Sequence, residues 1–277
     1  MASVIIPVHN EERVLGATLE ALLRDAQPDE FDVVVALNGC TDRSSEVARS
    51  FAPDVRSVVA GAASKTAALN AAEAVTSRFP RIYLDADVIM PTDTARALVR
   101  ALQAEEATLA VPTAEVLLPG ATRIVRLYND FWYELSRLRG DLGGTGVYAL
   151  NASARRLFST FPGLVADDLF ILSTYEHAKQ AQIPETVVVR PPQRVKDLLA
   201  VRTRVYAGNF QFATLTGDRW ALSESGLHDV SRLLREPRWW PGLASYVAIT
   251  GLAKHRAAGV TRAGMSAAWA RDESSRR

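Results

Sequence analysis

The sequence predicts an α/β fold with a mostly parallel central sheet flanked by helices, and three observations carry that expectation. Short apolar runs alternate with helix-like patterns through the first half of the chain, as in successive βαβ units. The unusual polar clusters fall directly after those runs, where an open parallel sheet places its ligand crevice. The composition, 48% hydrophobic and 23% charged over 277 residues, is that of a globular protein able to bury a sizeable core.

"SVIIPV" reads as the first strand. Asn10 is placed to cap the helix that follows, with Glu11 and Glu12 in its first turn and Leu15, Leu19, Leu22 and Leu23 on one face. "FDVVVAL" is the second strand, and the turn "NGCTD" leads into a helix that Asp42 can cap. "VRSVVA" is a weaker third strand, "SKTAALNAAEAVTSR" a helix and "RIYLDAD" the fourth strand. Thr92 can cap a helix running through Leu98 and Leu102, and "TLAVPT" is a further strand. Beyond residue 115 the alternation loosens. "IVRLYNDFWYELSRLR" reads as a helix, "GDLGGTG" as a glycine-rich loop, "VYALN" as a strand and "ARRLFSTF" as a short helix. "DDLFILSTYEHAKQ" is a helix opened by two acids, "TVVVRP" a strand, and "VKDLLAVRTRVYAGNFQFATL" a long helix or helix pair. The tail from Arg271 has the composition of a disordered segment.

The bulk numbers exclude some partners. A formal net charge of +1 gives no field that would favour nucleic acid. Cys40 is the only cysteine, so there is no disulfide framework within the chain, and a cysteine-based zinc site is not expected. With no signal peptide visible at the N-terminus as given, the expected location is cytoplasmic. Residues 239–253 are apolar, but they fall about five residues short of the roughly 20 that span a bilayer. Trp239 and Trp240 at the start of this stretch, and Lys254, His255 and Arg256 after it, suit a helix lying at the inner membrane surface; packing on the domain or a dimer contact is the alternative.

The chemistry concentrates in "RIYLDADVIMP". Residues two apart on an extended strand point to the same side, so Asp85 and Asp87 can present both carboxylates to one crevice. Two close carboxylates call for a divalent cation, and Mg²⁺ takes one or two carboxylates together with substrate phosphates. A metal-bridged diphosphate follows. An isolated Asp-x-Asp otherwise reads as a loop cap or an arginine partner on a solvated edge; here its place after a buried strand, among other polar loops, favours the metal.

At this point the chain resembles the family 2 inverting glycosyltransferases of the GT-A fold. "SVIIPVHNEE", "LNGCTDRS", "SKTAALNAA", "RIYLDADV" and "ADDLFI" occur in that family's order, from about residue 3 to about residue 210. The resemblance implies a glycosyltransferase domain over 1–220, with a nucleotide-sugar half at 1–115 and an acceptor half at 116–220, followed by a C-terminal helical extension and tail at 221–277. It implies that Pro7, His9 and Glu11 line the pocket for the donor's nucleoside. Lys65 lies near the nucleotide, Asp85 contacts the ribose or sugar, and Asp87 binds Mg²⁺ or Mn²⁺. Asp168 is then the general base with Asp167 in support, and Gly144, Thr145 and Gly146, with Val147 and Tyr148, form part of the acceptor wall. Such an enzyme, of hexosyltransferase type, moves a sugar from a nucleotide-diphosphate sugar, UDP weakly preferred over GDP, to a hydroxyl on a small molecule, a lipid-linked acceptor or a glycan.

The sequence departs from the family pattern in places. Leu37 and Asn38 stand where two acids often end the second strand, and an amide there can both donate and accept hydrogen bonds to a base. "VRTRVY" matches only the arginine of the Gln-x-x-Arg-Trp motif, so Arg202 and Arg204 are candidate diphosphate or acceptor contacts, with a solvated helix face as the alternative. His228 reads as a metal ligand or a surface histidine, and Phe131, Trp132 and Tyr133 as a stacking platform or as core. Two other functions remain open at this stage: a sugar nucleotidyltransferase of similar fold, against which "PVHNEERV" lacks glycine, and a catalytically inactive scaffold.

Overall fold

The computed structural model describes residues 1–61, 64–103, 107–140, 143–164, 166–175, 179–217 and 227–262. The chain divides into two compact units. The first comprises Met1–Leu117, Gly143–Gly163 and Ile171–Arg190; the second comprises Leu118–Leu142, Leu164–Phe170 and Pro191–Arg277.

The first unit holds a seven-stranded sheet: β1 (Ala2–Val8), β2 (Phe31–Leu37), β3 (Val55–Val59), β4 (Arg81–Leu84), β5 (Leu109–Val116), β6 (Val147–Leu150) and β7 (Gln180–Val189). The spatial order is β3-β2-β1-β4-β6-β5-β7. The four N-terminal strands are mutually parallel, β6 runs antiparallel to β4 and β5, and β7 is parallel to β5. The mostly parallel sheet expected from the strand–helix alternation is therefore present. Its central strands β1 and β4 are buried along their whole length, and β2 is buried at every position but Asp32, as expected where helices cover a sheet.

Helices α1 (Leu15–Leu23), α2 (Ser44–Arg49), α3 (Lys65–Glu73) and α4 (Thr92–Gln103) connect these strands. Leu15, Leu19 and Leu22 of α1 and Leu98 and Leu102 of α4 join Val4, Ile6, Val33 and Val35 in one core. Helix α3 packs against β1, β2 and β3.

Three local expectations are corrected. Asn10 does not cap α1, which starts only at Leu15; its Oδ1 instead accepts the amide of Thr41 at 2.6 Å, and its φ of 56° turns the chain away from helix. Thr92 is the first helical residue of α4, and its hydroxyl donates to the Leu22 carbonyl at 2.9 Å. The fourth strand ends at Leu84, so Asp85 and Asp87 do not share an extended segment. The Val88 amide donates to the Asp85 carbonyl at 3.1 Å and closes a turn between them.

Helix α6 (Ala152–Arg155) is shorter than "ARRLFSTF", and α7 (Asp167–Thr174) opens with the two acids. The second unit contains α5 (Arg123–Arg139), α8 (Val195–Thr216), α9 (Leu227–Leu234), a 3₁₀ turn at Pro237–Trp239 and α10 (Trp240–Arg262). The long segment after residue 195 is thus one helix and not a pair. Tyr128, Phe131, Leu198, Tyr246 and Ile249 form the core of this unit. No helix among the described residues is long and apolar enough to cross a membrane. The His228 side chain and the tail from Arg271 lie outside the described residues.

Candidate active site

In the first unit, the loops after β1, β2, β3 and β4 all leave the carboxyl edge of the sheet, because those strands are parallel. The order β3-β2-β1-β4 places a switch point between β1 and β4, the position where such sheets open a crevice. Pro7 is buried in β1, opposite Ala36. His9 is half-buried, and its Nδ1 lies 2.5 Å from the Asn38 carbonyl. Since a carbonyl can only accept, Nδ1 is the donor in this contact. The Glu11 side chain is 5% exposed, and its amide donates to the Ser44 hydroxyl at 2.7 Å.

Asn38 is wholly buried at the end of β2. Its Oδ1 accepts the Ser64 amide at 2.9 Å, which fixes the orientation of the carboxamide and leaves the buried Nδ2 without a hydrogen-bond partner. Ser64 in turn caps α3, accepting the Ala67 amide at 3.4 Å, and so sets the position of Lys65 one residue later. Asp42 ties two loops together. Its Oδ1 accepts the Ser44 hydroxyl at 2.6 Å and its Oδ2 accepts the Glu12 amide at 3.1 Å. Burial pushes the Asp42 carboxyl up, but these bonds outweigh it and hold the group below its ordinary value.

Lys65 Nζ lies 2.8 Å from Asp85 Oδ1. Asp85 is anchored on its other side, where its amide donates to the Gly146 carbonyl at 2.9 Å. At Gly146, which has φ 67°, a Cβ would meet Val88 at 2.7 Å and the Asp85 carboxylate at 3.2 Å. Gly146 therefore supports Asp85 directly, because only glycine permits that approach. The Thr145 side chain is buried, and its hydroxyl donates to the Val147 carbonyl at 2.8 Å. Gly144 also has positive φ, at 85°. Asp87 is half-exposed in the turn, whose Ala86 carbonyl accepts the Thr18 hydroxyl at 2.8 Å. One half-exposed carboxylate beside a second suits a hard cation that completes its shell with phosphate oxygens and water. No cluster of three or more His, Cys, Asp or Glu that could hold a metal on protein ligands alone occurs among the described residues.

Sequence reasoning missed the support beneath this edge. Glu73, at the end of α3, pairs with Arg81 of β4, accepts Arg155 Nε at 2.7 Å and accepts the Tyr83 hydroxyl at 2.5 Å. Burial, then the Glu73 charge, pushes the Tyr83 hydroxyl well above its ordinary value. Tyr83 stacks on Tyr148 with centroids 4.7 Å apart. These contacts lock α3, which starts at Lys65, to β4, which leads into Asp85.

In the second unit, Asp167 is 3% exposed, whereas Asp168 is exposed in the first turn of α7. Arg204 is half-buried. The Arg202 guanidinium lies over Trp132, Tyr206 and Tyr128 at 5.1, 5.4 and 5.8 Å from the ring centroids. Its Nε is buried without a hydrogen-bond partner, while the residue as a whole is half-buried. Phe131 is core, against Tyr246 and Trp239.

The sequence model of glycosyl transferase family 2 matches residues 3–160. No curated protein matches the chain. Among solved structures, a mannosyltransferase from Pyrobaculum calidifontis, in complex with GDP-Man and Mn²⁺, is 21% identical with a TM-score of 0.62; the match covers 95% of this chain and 79% of that one. Glucosyl-3-phosphoglycerate synthase from Mycobacterium tuberculosis, in complex with Mn²⁺, UDP and glucosyl-3-phosphoglycerate, is 21% identical with a TM-score of 0.50, over 67% of this chain and 70% of that one. S. aureus TarS, residues 1–349, is 11% identical with a TM-score of 0.53, over 95% and 92%. These structures share the fold.

Proposed function

Because the chain belongs to glycosyl transferase family 2 and is therefore a glycosyltransferase, we propose that it moves a sugar with inversion from a nucleoside-diphosphate sugar to an acceptor hydroxyl. The observation that carries this reading is the convergence of Asn38, Lys65, Asp85 and Asp87 at one edge of the sheet, with Lys65 and Asp85 2.8 Å apart. A pocket that combines an ammonium, a buried amide and two carboxylates suits a ribose and a diphosphate. UDP is weakly preferred over GDP; of the solved structures of the same fold, the mannosyltransferase carries GDP-Man and the glucosyl-3-phosphoglycerate synthase carries UDP.

Asp87 would hold Mg²⁺ or Mn²⁺ together with the donor's phosphates. When bound, the cation offsets the charge that builds on the departing diphosphate. Lys65 supplies a second positive charge at the same edge, and Asp85 orients it. Asp168, exposed in the first turn of α7, is the proposed base. The acceptor oxygen bonds to the anomeric carbon as the carbon–diphosphate bond breaks, and the hydroxyl proton passes to the Asp168 carboxylate. Buried Asp167 supports that turn. Gly144 to Gly146 contribute to the acceptor wall, and Arg204 is a candidate acceptor or diphosphate contact.

The test is thermal stabilisation by UDP, GDP, CMP and dTDP, each with and without Mn²⁺. A ligand at a hundredfold excess over its Kd contributes about 2.7 kcal/mol, which is readily visible. A metal-dependent shift with one nucleotide is expected, lost in Asp87→Ala. Absence of any shift would sink the donor assignment. Asp168→Asn should retain the nucleotide shift and lose transfer; substantial residual transfer would mean another base.

A further inference from the structure

Helix α10 buries one side and leaves the other bare. Gly242, Tyr246, Ile249, Ala253 and Ala257 are buried, with Gly242 in contact with Phe131. The opposite face carries Trp240, Ala244, Val247, Ala248, Gly251 and Leu252, spaced by three or four residues and all exposed. Trp240, Val247 and Leu252 expose 56%, 59% and 45% of their surface, values that an aqueous surface does not favour for such side chains. From Trp240 to Ala253 the sequence contains no charged residue.

Both ends of this bare face are basic. Exposed Arg232, Arg235 and Arg238 precede it, and exposed Arg256 follows. The single acid between residues 230 and 262 is Glu236, which pairs with Arg238 at 2.6 Å. Trp240 sits at the junction of the arginines and the apolar face, its indole Nε1 donating to the Leu234 carbonyl at 3.0 Å while the ring stays exposed. A tryptophan at the polar–apolar boundary and cations beside a flat apolar stripe are complementary to lipid headgroups over acyl chains.

We propose that the bare face of α10 seats on an anionic lipid surface, with Trp240, Val247 and Leu252 entering the headgroup–acyl boundary and Arg232, Arg235, Arg238 and Arg256 facing anionic headgroups. The helix is held flat by its buried side and does not span. A second copy of the chain on this face would have to bring the same arginines together, with only Glu236 and the Arg137-paired Glu134 as acids beside them, so charge favours lipid over self-association. The inference does not depend on the donor or the reaction.

The test is co-sedimentation of the full chain with phosphatidylcholine vesicles, with or without roughly three-tenths phosphatidylglycerol. Binding is expected only to the anionic vesicles, and it should weaken as salt shortens the Debye length. Each arginine near such a surface contributes roughly fivefold, so Arg232→Gln, Arg235→Gln and Arg238→Gln together should lower partitioning about a hundredfold. Val247→Glu with Leu252→Glu should abolish it, while an unchanged melting temperature shows that both variants fold. Failure of the wild type to bind anionic vesicles at low salt would overturn the proposal, as would full binding by the Val247→Glu, Leu252→Glu variant. A wild-type dimer that becomes monomeric in that variant, without vesicle binding in either, would identify the face as a self-association surface and overturn it equally.

Discussion

Each unit encloses the charged end of a side chain, and the two are satisfied by different means. In the first unit Glu73, with 7% of its side chain exposed, is met by Arg81 and the Tyr83 hydroxyl from β4 and by Arg155 from α6. In the second unit the Arg202 guanidinium lies over the rings of Tyr128, Trp132 and Tyr206, with a hydrogen bond to Tyr206 as its directional contact. A carboxylate shared by three directional partners fixes where they lie, whereas a cation over π-faces is held by a broad, weakly directional attraction worth about 0.5–2 kcal/mol. The first arrangement is intolerant of change and sits beneath the candidate donor site. The second can be exchanged for apolar packing.

The largest effect should therefore come from Glu73→Gln. It leaves Arg81 and Arg155 buried with no compensating charge, and loss of one partner of a buried pair costs about 3–5 kcal/mol. Urea unfolding reads the change, and a loss under about 1 kcal/mol would remove Glu73 as the anchor. Gly242→Ala should come next. Its new Cβ would lie 2.9 Å from Phe131 Cβ and 3.0 Å from the Leu127 carbonyl, neither of which can swing aside. The overpacking cost of about 1–3 kcal/mol exceeds any gain of up to about 1 kcal/mol from helix propensity. Arg202→Met should be smaller still, at about 1 kcal/mol of either sign, because methionine fills the aromatic enclosure without a charge to desolvate. If Arg202→Met cost as much as Glu73→Gln, the contrast between the two units would fail.

The same contrast explains what the sequence could disclose. Apolar runs such as "FDVVVAL" announce buried strands, because burial on both faces leaves no alternation to obscure them. The acids at 85 and 87 are conspicuous for the same reason. Their geometry was not legible, because the turn that closes at Val88 is set by a Gly146 partner some sixty residues away in the sequence. Arg155 reaching Glu73 across 82 positions leaves no local pattern at all. Asn10 carries a genuine cap signature, yet the Thr41 amide competes successfully for its side chain. In the second unit, the aromatic-rich helix α5 announces itself as a helix, but nothing in the order of its residues tells which ring will cover Arg202.

The smallest effect tests a third arrangement, a half-exposed carboxylate bonded to backbone and hydroxyl groups. Asp42 bridges the loops after β1 and β2, and its hydrogen bonds from Ser44 and Glu12 hold its folded value below the ordinary 3.8 despite the opposing effect of burial. A carboxyl depressed on folding contributes stability that is fully present above its unfolded value and lost as pH falls through the folded one. The wild type should then lose melting temperature progressively below about pH 4. Asp42→Asn keeps an oxygen to accept the Ser44 amide but removes the titration. It should be less stable at neutral pH by about 1–2 °C, and its profile should converge with that of the wild type in acid. Glu30, lowered chiefly by its hydrogen bond from Arg96, titrates in both proteins and cancels in the difference. A difference that stayed constant from neutral to acid pH would show that the side-chain shape of Asp42, and not its charge, joins the two loops.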